Sequence, residues 1–464
     1  MSSLKAKLET LIPKLRDERK AIMEKHGDHD LGAVVVEQVI GGMRGIPALV
    51  CDTSEVTPEN GLIVRGIPIA QLTERLPEEM FWLLLTGELP NPAELKEFQA
   101  DLFARQHVPD YVFKLLDAFP AEAHPMTMLN AGILAMQPAS KFAKQYAEGT
   151  VKKADYWAPI LEDSLDLMAN VSIVAAYIFK IKYQPTFDIH SAKASDWGAQ
   201  FARMLNMPQQ KSEADEMMRL YLTLHADHEG GNVSAFASNV VGSALSDPYY
   251  TVSAGLNGLA GPLHGLANQE CQKFWIDMQS KLGDAPSDAE ITAYIKGLLA
   301  DKKVIPGYGH AVLRSTDPRF VALHAFGKEH FANDPIFRLV DRGYALIPGI
   351  LKEQGKVKSP FPNVDAGSGA MLWHFGLRQF EFYTVFFAVS RTMGLLAQLI
   401  LARALNTSIT RPKSVTTAWI KQQIEKSFAA HMQASLAEPV SHLLDPANQV
   451  WHQHGFVEQR PFAA

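Results

Sequence analysis

The apolar run from Phe382 to Ala402, FYTVFFAVSRTMGLLAQLILA, constrains this chain more than any other segment. The run is long enough to cross a bilayer as a helix. Arg391 lies in its middle, and a guanidinium is costly at a bilayer centre and equally out of place in a protein core unless an anion pairs with it. We therefore expect a fully buried helix of a soluble protein, with Arg391 directed into a polar cleft.

Helical periodicity dominates the remainder of the chain. Apolar residues recur at three- and four-residue spacing in the segments that begin at Glu78, Asp166, Glu216 and Ser414. Two motifs predict helix starts, because SDP at 246–248 and TDP at 316–318 each place a capping oxygen before a proline at the first helical position. Strand-like alternation is scarce, so the predicted fold class is all-α.

Composition excludes several classes of protein. The chain has 464 residues, of which 47% are hydrophobic and 20% are charged, as in ordinary globular proteins. Its net charge of -6 gives no field that would attract nucleic acid or an anionic membrane, so neither is an expected partner. The two cysteines, Cys51 and Cys271, form no C-x-x-C motif, so no disulfide framework or cysteine metal site is predicted and a reducing compartment is favoured.

The amino-terminal segment predicts an amphipathic helix. It lacks the apolar core of a signal peptide, and its acidic residues Glu9, Asp17 and Glu18 argue against an uncleaved transit peptide. We expect a cytoplasmic, bacterial protein if the chain is complete. The alternative is a protein of the mitochondrial matrix whose presequence has been removed.

Two glycine- and proline-rich loops mark candidate domain boundaries at 257–265 and 358–369. They bracket a segment of about a hundred residues, which is enough for a small domain. We expect a large domain formed by residues 1–265 and 376–464, with a small domain of residues 266–375 inserted into it.

Four glycine- or proline-rich loops each contain one titratable residue. These residues are His228 in HADHEGGNVSAF, His264 in GPLHGLANQE, His310 in PGYGHAVLR and Asp365 in PNVDAGSG. Glycine allows the backbone near such a residue to approach a ligand closely. Together with three arginines, Arg319, Arg391 and Arg411, the four loops indicate a binding or catalytic site.

Other kinds of site fit less well. His225, Asp227, His228 and Glu229 cluster, but their order departs from H-E-x-x-H, so no metal site is predicted. The chain contains no G-x-S-x-G motif of a serine hydrolase, and neither Gly-Lys pair is followed by the serine or threonine of a P-loop.

The combination of arginines, histidines and one aspartate predicts a type of reaction. Arginine binds carboxylates through two parallel hydrogen bonds, so several arginines would select a small di- or tricarboxylate. His264 begins a helical run, and the positive helix end would lower its pKa and leave a neutral ring that donates to a developing enolate. With Asp365 as the base and His310 as the acid at a ketone, the residues suit formation of a carbon–carbon bond next to a carbonyl.

The same motifs resemble citrate synthase of the long, eukaryote-like type. The resemblance rests on GLAGPLHGLANQE, VIPGYGHAVLRSTDPRF, PNVDAGSG, DHEGGNVSA, SRTMGLLAQLI and RPKS, and it extends over nearly the whole chain. It implies a mainly helical homodimer whose large and small domains close over oxaloacetate and then accept acetyl-CoA. No metal and no redox cofactor is implied.

The resemblance also implies a role for each site residue. His264 would stabilise the enol of acetyl-CoA, Asp365 would remove the methyl proton, and His310 would protonate the carbonyl oxygen of oxaloacetate. The carboxylates of oxaloacetate and citrate would be bound by His228, Arg319, Arg391 and Arg411, the last contributed by the partner subunit. Coenzyme A would meet Arg44, Arg314 and Lys358, and its adenine would lie against the backbone of 304–308.

Three positions depart from the pattern of mitochondrial relatives, which tend to carry histidine there: Gly367, Phe236 and Asn239. They leave open whether acetyl-CoA or propionyl-CoA is the preferred substrate, so 2-methylcitrate synthase is one alternative. A non-catalytic sensor of dicarboxylates or CoA is another, and a metal-dependent lyase is a third.

Overall fold

A computed structural model describes residues 2–207, 211–310 and 312–437 of the chain. Helices make up most of this part. Their bounds are α1 Ser3–His26, α2 Val36–Ile40, α3 Pro77–Thr86, α4 Pro92–Ala104, α5 Asp110–Asp117, α6 Pro125–Met136, α7 Lys141–Ala147, α8 Trp157–Tyr183, α9 Trp197–Met204, α10 Lys211–His225, α11 Val233–Ser243, α12 Pro248–Leu259, α13 Ala267–Leu282, α14 Asp288–Ala300, α15 Pro318–His330, α16 Pro335–Gln354, α17 Asp365–His374, α18 Tyr383–Ala404 and α19 Thr417–Ala437.

One small antiparallel sheet accompanies the helices. Its strands are β1 Ser54–Thr57, β2 Gly61–Val64 and β3 Ile67–Pro68, in that spatial order. Ser54 pairs with Val64, and Val64 in turn pairs with Ile67. The predicted all-α class is confirmed, because this sheet is a minor addition to a helical protein.

The chain forms two compact units. The first contains Met1–Leu31 and Pro47–Thr410, and the second contains Gly32–Ile46 and Arg411–Ala464. In the second unit, the described residues form α2 and α19, and the carbonyl of Arg44 accepts a hydrogen bond of 3.3 Å from the Gln38 side chain. The last part of the expected large domain, 438–464, lies outside the described residues.

The apolar run of the sequence forms α18, the central helix of the first unit. This helix packs against α3, α8, α10, α11 and α12, and Arg391 within it is only 2% exposed. The expectation of a buried helix around an arginine is confirmed. Of the helices described, two are long and apolar enough to cross a membrane, at Lys153–Tyr183 and Phe380–Ala404, and their apolar windows are 78% and 89% buried.

The two proline motifs begin helices as expected. The carboxylate of Asp247 accepts hydrogen bonds from the backbone N–H groups of Tyr249 and Tyr250 at the start of α12. The carboxylate of Asp317 accepts from the N–H of Arg319 at 2.9 Å, at the start of α15. Both caps satisfy N–H groups that a helix cannot satisfy itself.

Two hydrophobic clusters lie within the first unit. The larger draws on residues from Leu4 to Ala404, and the smaller draws only on residues between Cys271 and Ala370. Leu323 and Met371, from α15 and α17, belong to the larger cluster, so these two helices join the clusters. A separate core inside 266–375 supports the predicted small domain, which remains a prediction.

Glu78 in α3 gives a test of the core. Its Oε1 accepts from the N–H of Trp197 at 2.7 Å, and burial raises its pKa to about 7. The unfolded chain loses this proton near pH 4.5, so between these values the folded state binds more protons and the free energy of unfolding falls as pH rises. Each pKa unit corresponds to about 1.4 kcal/mol, so the decline should reach roughly 3 kcal/mol.

We expect Glu78→Gln to lack this decline. Thermal unfolding at pH 5 and at pH 8 should show the variant gaining stability relative to the natural protein at the higher pH. Glu148→Gln, which changes an exposed glutamate, is the matched control and should follow the natural protein. Parallel stability curves for all three proteins would contradict the assignment.

Candidate active site

The loops that carry His310 and Asp365 are joined through their backbones. Tyr308 and Pro362 form an antiparallel bridge, the N–H of Gly309 donates to the carbonyl of Phe361 at 3.0 Å, and the N–H of Asn363 donates to the carbonyl of Gly307 at 2.9 Å. These contacts bring together two motifs that the sequence separates by about fifty residues.

Gly307 makes this approach possible. Its φ is +79°, and a Cβ there would lie 2.7 Å from the Cys271 sulfur and 2.8 Å from the Ala366 Cα. The sequence suggested that glycine in this loop allows close approach to a ligand. At Gly307 the close neighbours are Cys271 and the start of α17, and approach to a ligand remains a prediction.

His310 has a fixed orientation. Its Nδ1 accepts hydrogen bonds of 3.0 Å from the backbone N–H groups of both Val312 and Leu313. Burial and the nearby Arg319 lower its pKa, which favours the neutral ring. Because Nδ1 accepts, the neutral ring carries its proton on Nε2, the nitrogen that remains to donate to a ligand.

His264 shows the opposite tautomer. It lies in the turn before α13, and its Nε2 accepts from the N–H of Ser234 at 3.3 Å and lies 3.0 Å from the Ser234 hydroxyl. A backbone N–H can only donate, so the neutral ring carries its proton on Nδ1.

The neutral state of His264 agrees in direction with the sequence interpretation. Burial and the charge of Arg391 lower its pKa to about 4. The sequence analysis did not include Arg391 among the causes, and the contribution of the helix that begins at Ala267 remains a prediction.

Arg391 is a buried cation whose hydrogen bonds, among the described residues, go to neutral oxygens. Its Nε donates to the carbonyl of His225 at 3.1 Å, one Nη lies 3.5 Å from Asn232 Oδ1, and the guanidinium lies 4.8 Å from the Phe387 ring centre. Burial lowers its pKa to about 10, so it stays charged at neutral pH. The expected missing anion is therefore not supplied by an ion pair of the described residues.

Arg319 differs from Arg391 because it already has a carboxylate partner. Two of its nitrogens donate to the Asp317 carboxylate at 2.7 and 3.1 Å, and the two residues are 5% and 0% exposed. The sequence analysis missed Asp317, although its capping position two residues before the arginine could have indicated this ion pair.

His228 lies at the edge of the same group of residues. Its ring centre is 6.1 Å from that of His310, and its carbonyl accepts from the Asn232 side chain at 2.7 Å. Burial and the charges of Arg319 and Arg391 hold its pKa well below its usual value.

Asp227, the neighbour of His228, is buried in a network of hydroxyls and an amide. Its carboxylate accepts from Thr53 at 2.6 Å, from Ser54 at 2.7 Å and from Gln398 at 2.8 Å. Sequence reasoning did not find these three partners. The network fixes the backbone directly before His228.

The side chains of His225, Asp227 and Glu229, which are close to His228 in the sequence, do not point to a common position. His225 Nδ1 donates to the Tyr221 carbonyl at 2.8 Å, and Glu229 accepts from the N–H of Val56 at 2.7 Å. In the described ranges, no group of three His, Cys, Asp or Glu side chains is arranged to hold a metal ion.

Asp365 is the first residue of α17, and its N–H donates to Asn363 Oδ1 at 3.0 Å. Burial raises the pKa of its carboxyl to about 6, while the positive charge of Arg319 opposes that rise and Asp317 adds to it. A carboxylate with a raised pKa is a stronger base than an exposed one.

Two guanidinium groups thus connect the predicted site residues. Arg319 interacts electrostatically with His228, His310 and Asp365. Arg391 interacts with His228 and His264. Arg314 also interacts with His310, so the structure brings seven of the predicted residues into one electrostatic group.

The residues predicted to bind coenzyme A differ from the buried members of that group. Arg314 and Lys358 are exposed, and the Arg314 guanidinium donates to the carbonyls of Val312 and Leu313 at 2.8 Å. Arg44 and Arg411 belong to the second unit, so their place at the site remains a prediction.

The three unusual positions have different surroundings. A Cβ at Gly367 would lie 3.3 Å from the Phe320 ring, so a side chain there would press on the core. Asn239 donates to the Gln398 side chain at 2.8 Å, which links it to the Asp227 network. Phe236 lies in α11 and is partly buried.

The sequence of this chain is similar to those of known proteins. The family described as citrate synthase, C-terminal domain, matches residues 42–413. Citrate synthase 4, mitochondrial, of Arabidopsis thaliana is 46% identical over 437 residues, covering 92% of each chain. The mitochondrial citrate synthase of Saccharomyces cerevisiae is 43% identical over 434 residues, covering 91% of this chain and 90% of that one.

Solved structures show the same fold. The citrate synthase of Pyrobaculum aerophilum superposes with a TM-score of 0.71 at 25% identity, covering 82% of this chain and 92% of that one. The citrate synthase of Thermoplasma acidophilum was solved as a ternary complex with carboxymethyl coenzyme A and oxaloacetate. It has a TM-score of 0.67 at 22% identity, covering 81% of this chain and 95% of that one. The second likeness supports the fold alone.

We expect the ring of His264 to remain neutral, with its proton on Nδ1, from about pH 8 to about pH 5, because burial and Arg391 disfavour the charged ring. Nitrogen-15 NMR of histidine-labelled protein measures both the charge and the tautomer. The variant His264→Asn removes the signal and so assigns it. A ring that gains a proton above about pH 6, or that carries its proton on Nε2, would contradict the structure.

Proposed function

The chain belongs to the citrate synthase family, and we propose that His264, Asp365 and His310 are the residues that carry out its reaction. The activity of the family is an acyl transfer that opens the tricarboxylic acid cycle: acetyl-CoA and oxaloacetate condense, and hydrolysis yields citrate and CoA. One observation carries the assignment of residues. Each of the two histidines accepts backbone N–H groups on one ring nitrogen, so the other nitrogen is left as a donor.

The first step forms the enolate of acetyl-CoA. Asp365 removes a proton from the methyl group, and the electron pair moves onto the thioester oxygen. His264 Nδ1–H donates a hydrogen bond to that oxygen and stabilises the negative charge. The raised pKa of Asp365 and the neutral ring of His264 support these two roles.

The second step forms the carbon–carbon bond. The enolate carbon attacks the ketone carbon of oxaloacetate, and the ketone oxygen takes the proton from His310 Nε2. The product is citryl-CoA, and water then breaks its thioester bond to give citrate and the CoA thiol. No step needs a metal ion or a redox cofactor.

The carboxylates of oxaloacetate are bound by His228, Arg319, Arg391 and Arg411 in this proposal. Arg391 contributes most, because its positive charge is buried among neutral oxygens and a substrate carboxylate would supply the missing charge. Arg319 shares its charge with Asp317 and so presents only part of its donor set.

Coenzyme A is bound by Arg44, Arg314 and Lys358, with its adenine against the backbone of 304–308. Arg314 and Lys358 are exposed and belong to loops on either side of the Tyr308–Pro362 bridge, which supports a shared role in binding a charged ligand. A closing movement of the 266–375 domain over the large domain would exclude water until the new bond has formed.

The comparisons also bear on the alternatives and on the compartment. The named relatives are citrate synthases, which favours acetyl-CoA over propionyl-CoA and an enzyme over a sensor. The relatives from Arabidopsis thaliana and Saccharomyces cerevisiae are mitochondrial proteins, which supports the matrix alternative over the cytoplasmic expectation.

A paired assay tests the proposed function. With oxaloacetate present, we expect CoA thiol to be released faster from acetyl-CoA than from propionyl-CoA. Asp365→Ala should lower this rate by about 100- to 10,000-fold, the usual contribution of a general base, with little change in oxaloacetate binding by calorimetry. Asp301→Ala, which removes an exposed aspartate, should be near normal.

The opposite outcomes are equally informative. Faster release from propionyl-CoA would make the protein a 2-methylcitrate synthase. Binding of oxaloacetate without release of thiol from either substrate would make it a sensor, and a near-normal Asp365→Ala would remove that residue from the mechanism.

The homodimer with a shared site is tested by mixing two inactive variants. Arg411→Ala and Asp365→Asn are co-expressed with different tags. If Arg411 is contributed by the partner, each mixed dimer has one complete site, and random pairing should restore about a quarter of the normal activity. If Arg411 acts within its own subunit, no site is complete and no activity returns.

A further inference from the structure

Asn363 has no role in the mechanism proposed above. It lies between His310, the acid, and Asp365, the base. We propose that Asn363 is a positioning residue that sets the separation of His310 and Asp365. The inference rests on the proposed function, because it assumes that these two groups act on the two substrates.

One side chain contacts the backbone next to both groups. Asn363 Nδ2 donates to the carbonyl of Gly309 at 3.0 Å, and Gly309 directly precedes His310. Asn363 Oδ1 accepts from the N–H of Asp365 at 3.0 Å. The side-chain amide therefore joins the backbone on either side of the site.

The backbone of Asn363 adds two more contacts. Its N–H donates to the Gly307 carbonyl at 2.9 Å, and its carbonyl accepts from the N–H of Ala366 at 3.2 Å. All the principal polar groups of the residue are thus engaged. The orientation of the amide is also defined, since Oδ1 faces an N–H group and Nδ2 faces a carbonyl.

The separation of His310 and Asp365 matters because the two groups act on different molecules. Asp365 works on the methyl carbon and His310 on the ketone oxygen, and the two carbons must meet for the bond to form. A displacement of about 1 Å in such a site can cost about a hundredfold in rate. The hydrogen bonds described for Asn363 go to Gly307, Gly309, Asp365 and Ala366 rather than to Arg391 or His228, so substrate affinity should depend on it much less than turnover does.

A helix-capping role of Asn363 would be simpler and must be distinguished from the positioning role. Asn363 Oδ1 accepts the N–H two residues later, which is the Asx turn common at helix starts, and a cap by itself serves only stability. The substitution Asn363→Ser keeps a hydroxyl that can accept the Asp365 N–H, but it removes the donor to Gly309. The substitution Asn363→Ala removes both contacts.

Asn91, which caps the start of α4, provides a matched control. Asn91 Oδ1 accepts from the N–H groups of Ala93 and Glu94 at 3.0 Å, so Asn91→Ala also deletes an asparagine cap, far from the site in sequence and in the large domain. A loss of activity that comes only from a weakened helix start should be similar in Asn91→Ala and Asn363→Ala.

We expect Asn363→Ala to lower kcat by about 10- to 100-fold while the KM for oxaloacetate changes by less than about threefold. Asn91→Ala should retain near-normal kcat. Values of kcat for both Asn363 variants within about twofold of Asn91→Ala would overturn the proposal.

Two further measurements separate the two halves of the Asn363 side chain. The infrared band of the ketone of bound oxaloacetate reports on His310, and exchange of the methyl protons of acetyl-CoA, with malate in place of oxaloacetate, reports on Asp365. In Asn363→Ser the ketone band should move toward its position in water, while exchange stays within about threefold of normal. An unchanged ketone band in this variant would contradict the proposal, even if Asn363→Ala fails to fold.

Failure of the inference can be told from failure of the proposed function. If Asp365→Ala abolishes proton exchange and the Asn363 variants behave like Asn91→Ala, the catalytic residues stand and only the role of Asn363 is wrong. If Asp365→Ala retains exchange, the proposed base itself is wrong.

Discussion

The buried guanidinium of Arg391 is the interaction on which the site depends. It lies in the middle of α18, an almost wholly buried helix, and its hydrogen bonds described above go to a backbone carbonyl and an amide oxygen. Burial disfavours its charged form and the charge of Asp227 favours it, and a pKa of about 10 keeps Arg391 ionised at neutral pH. Among the described residues no carboxylate forms an ion pair with this guanidinium, so a carboxylate ligand can do so.

The same charge determines the state of the neighbouring histidines. Together with burial, Arg391 and Arg319 lower the pKa values of His264, His228 and His310. Neutral imidazoles can donate one hydrogen bond without leaving a second buried cation beside the first. In His264 and His310, backbone N–H groups then determine which ring nitrogen is left to donate a hydrogen bond.

Sequence reasoning identified what local patterns determine. The buried helix around Arg391, the helix starts at Asp247 and Asp317, and the neutral state of His264 could all be inferred from short segments. The contacts that join distant segments could not, because periodicity and capping carry no information about which loops meet. Ser234 behind His264 and the Gly309–Asn363 contact belong to this second kind. The proximity of Arg391, which together with burial lowers the pKa of His264, has the same origin. The Asp317–Arg319 ion pair is local, by contrast, and the capping position of Asp317 could have indicated it.

The long-range hydrogen bonds of Asp227 have a consequence for the synthesis and folding of the enzyme. Thr53 and Ser54 precede their partner by 174 and 173 positions, and Gln398 follows it by 171. Contacts this remote form late, since the intervening chain must first lose much of its freedom. A ribosome that stops anywhere before α18 leaves a product in which Asp227 lacks its Gln398 partner and Arg391 is absent, so partial products of synthesis should be inert rather than weakly active.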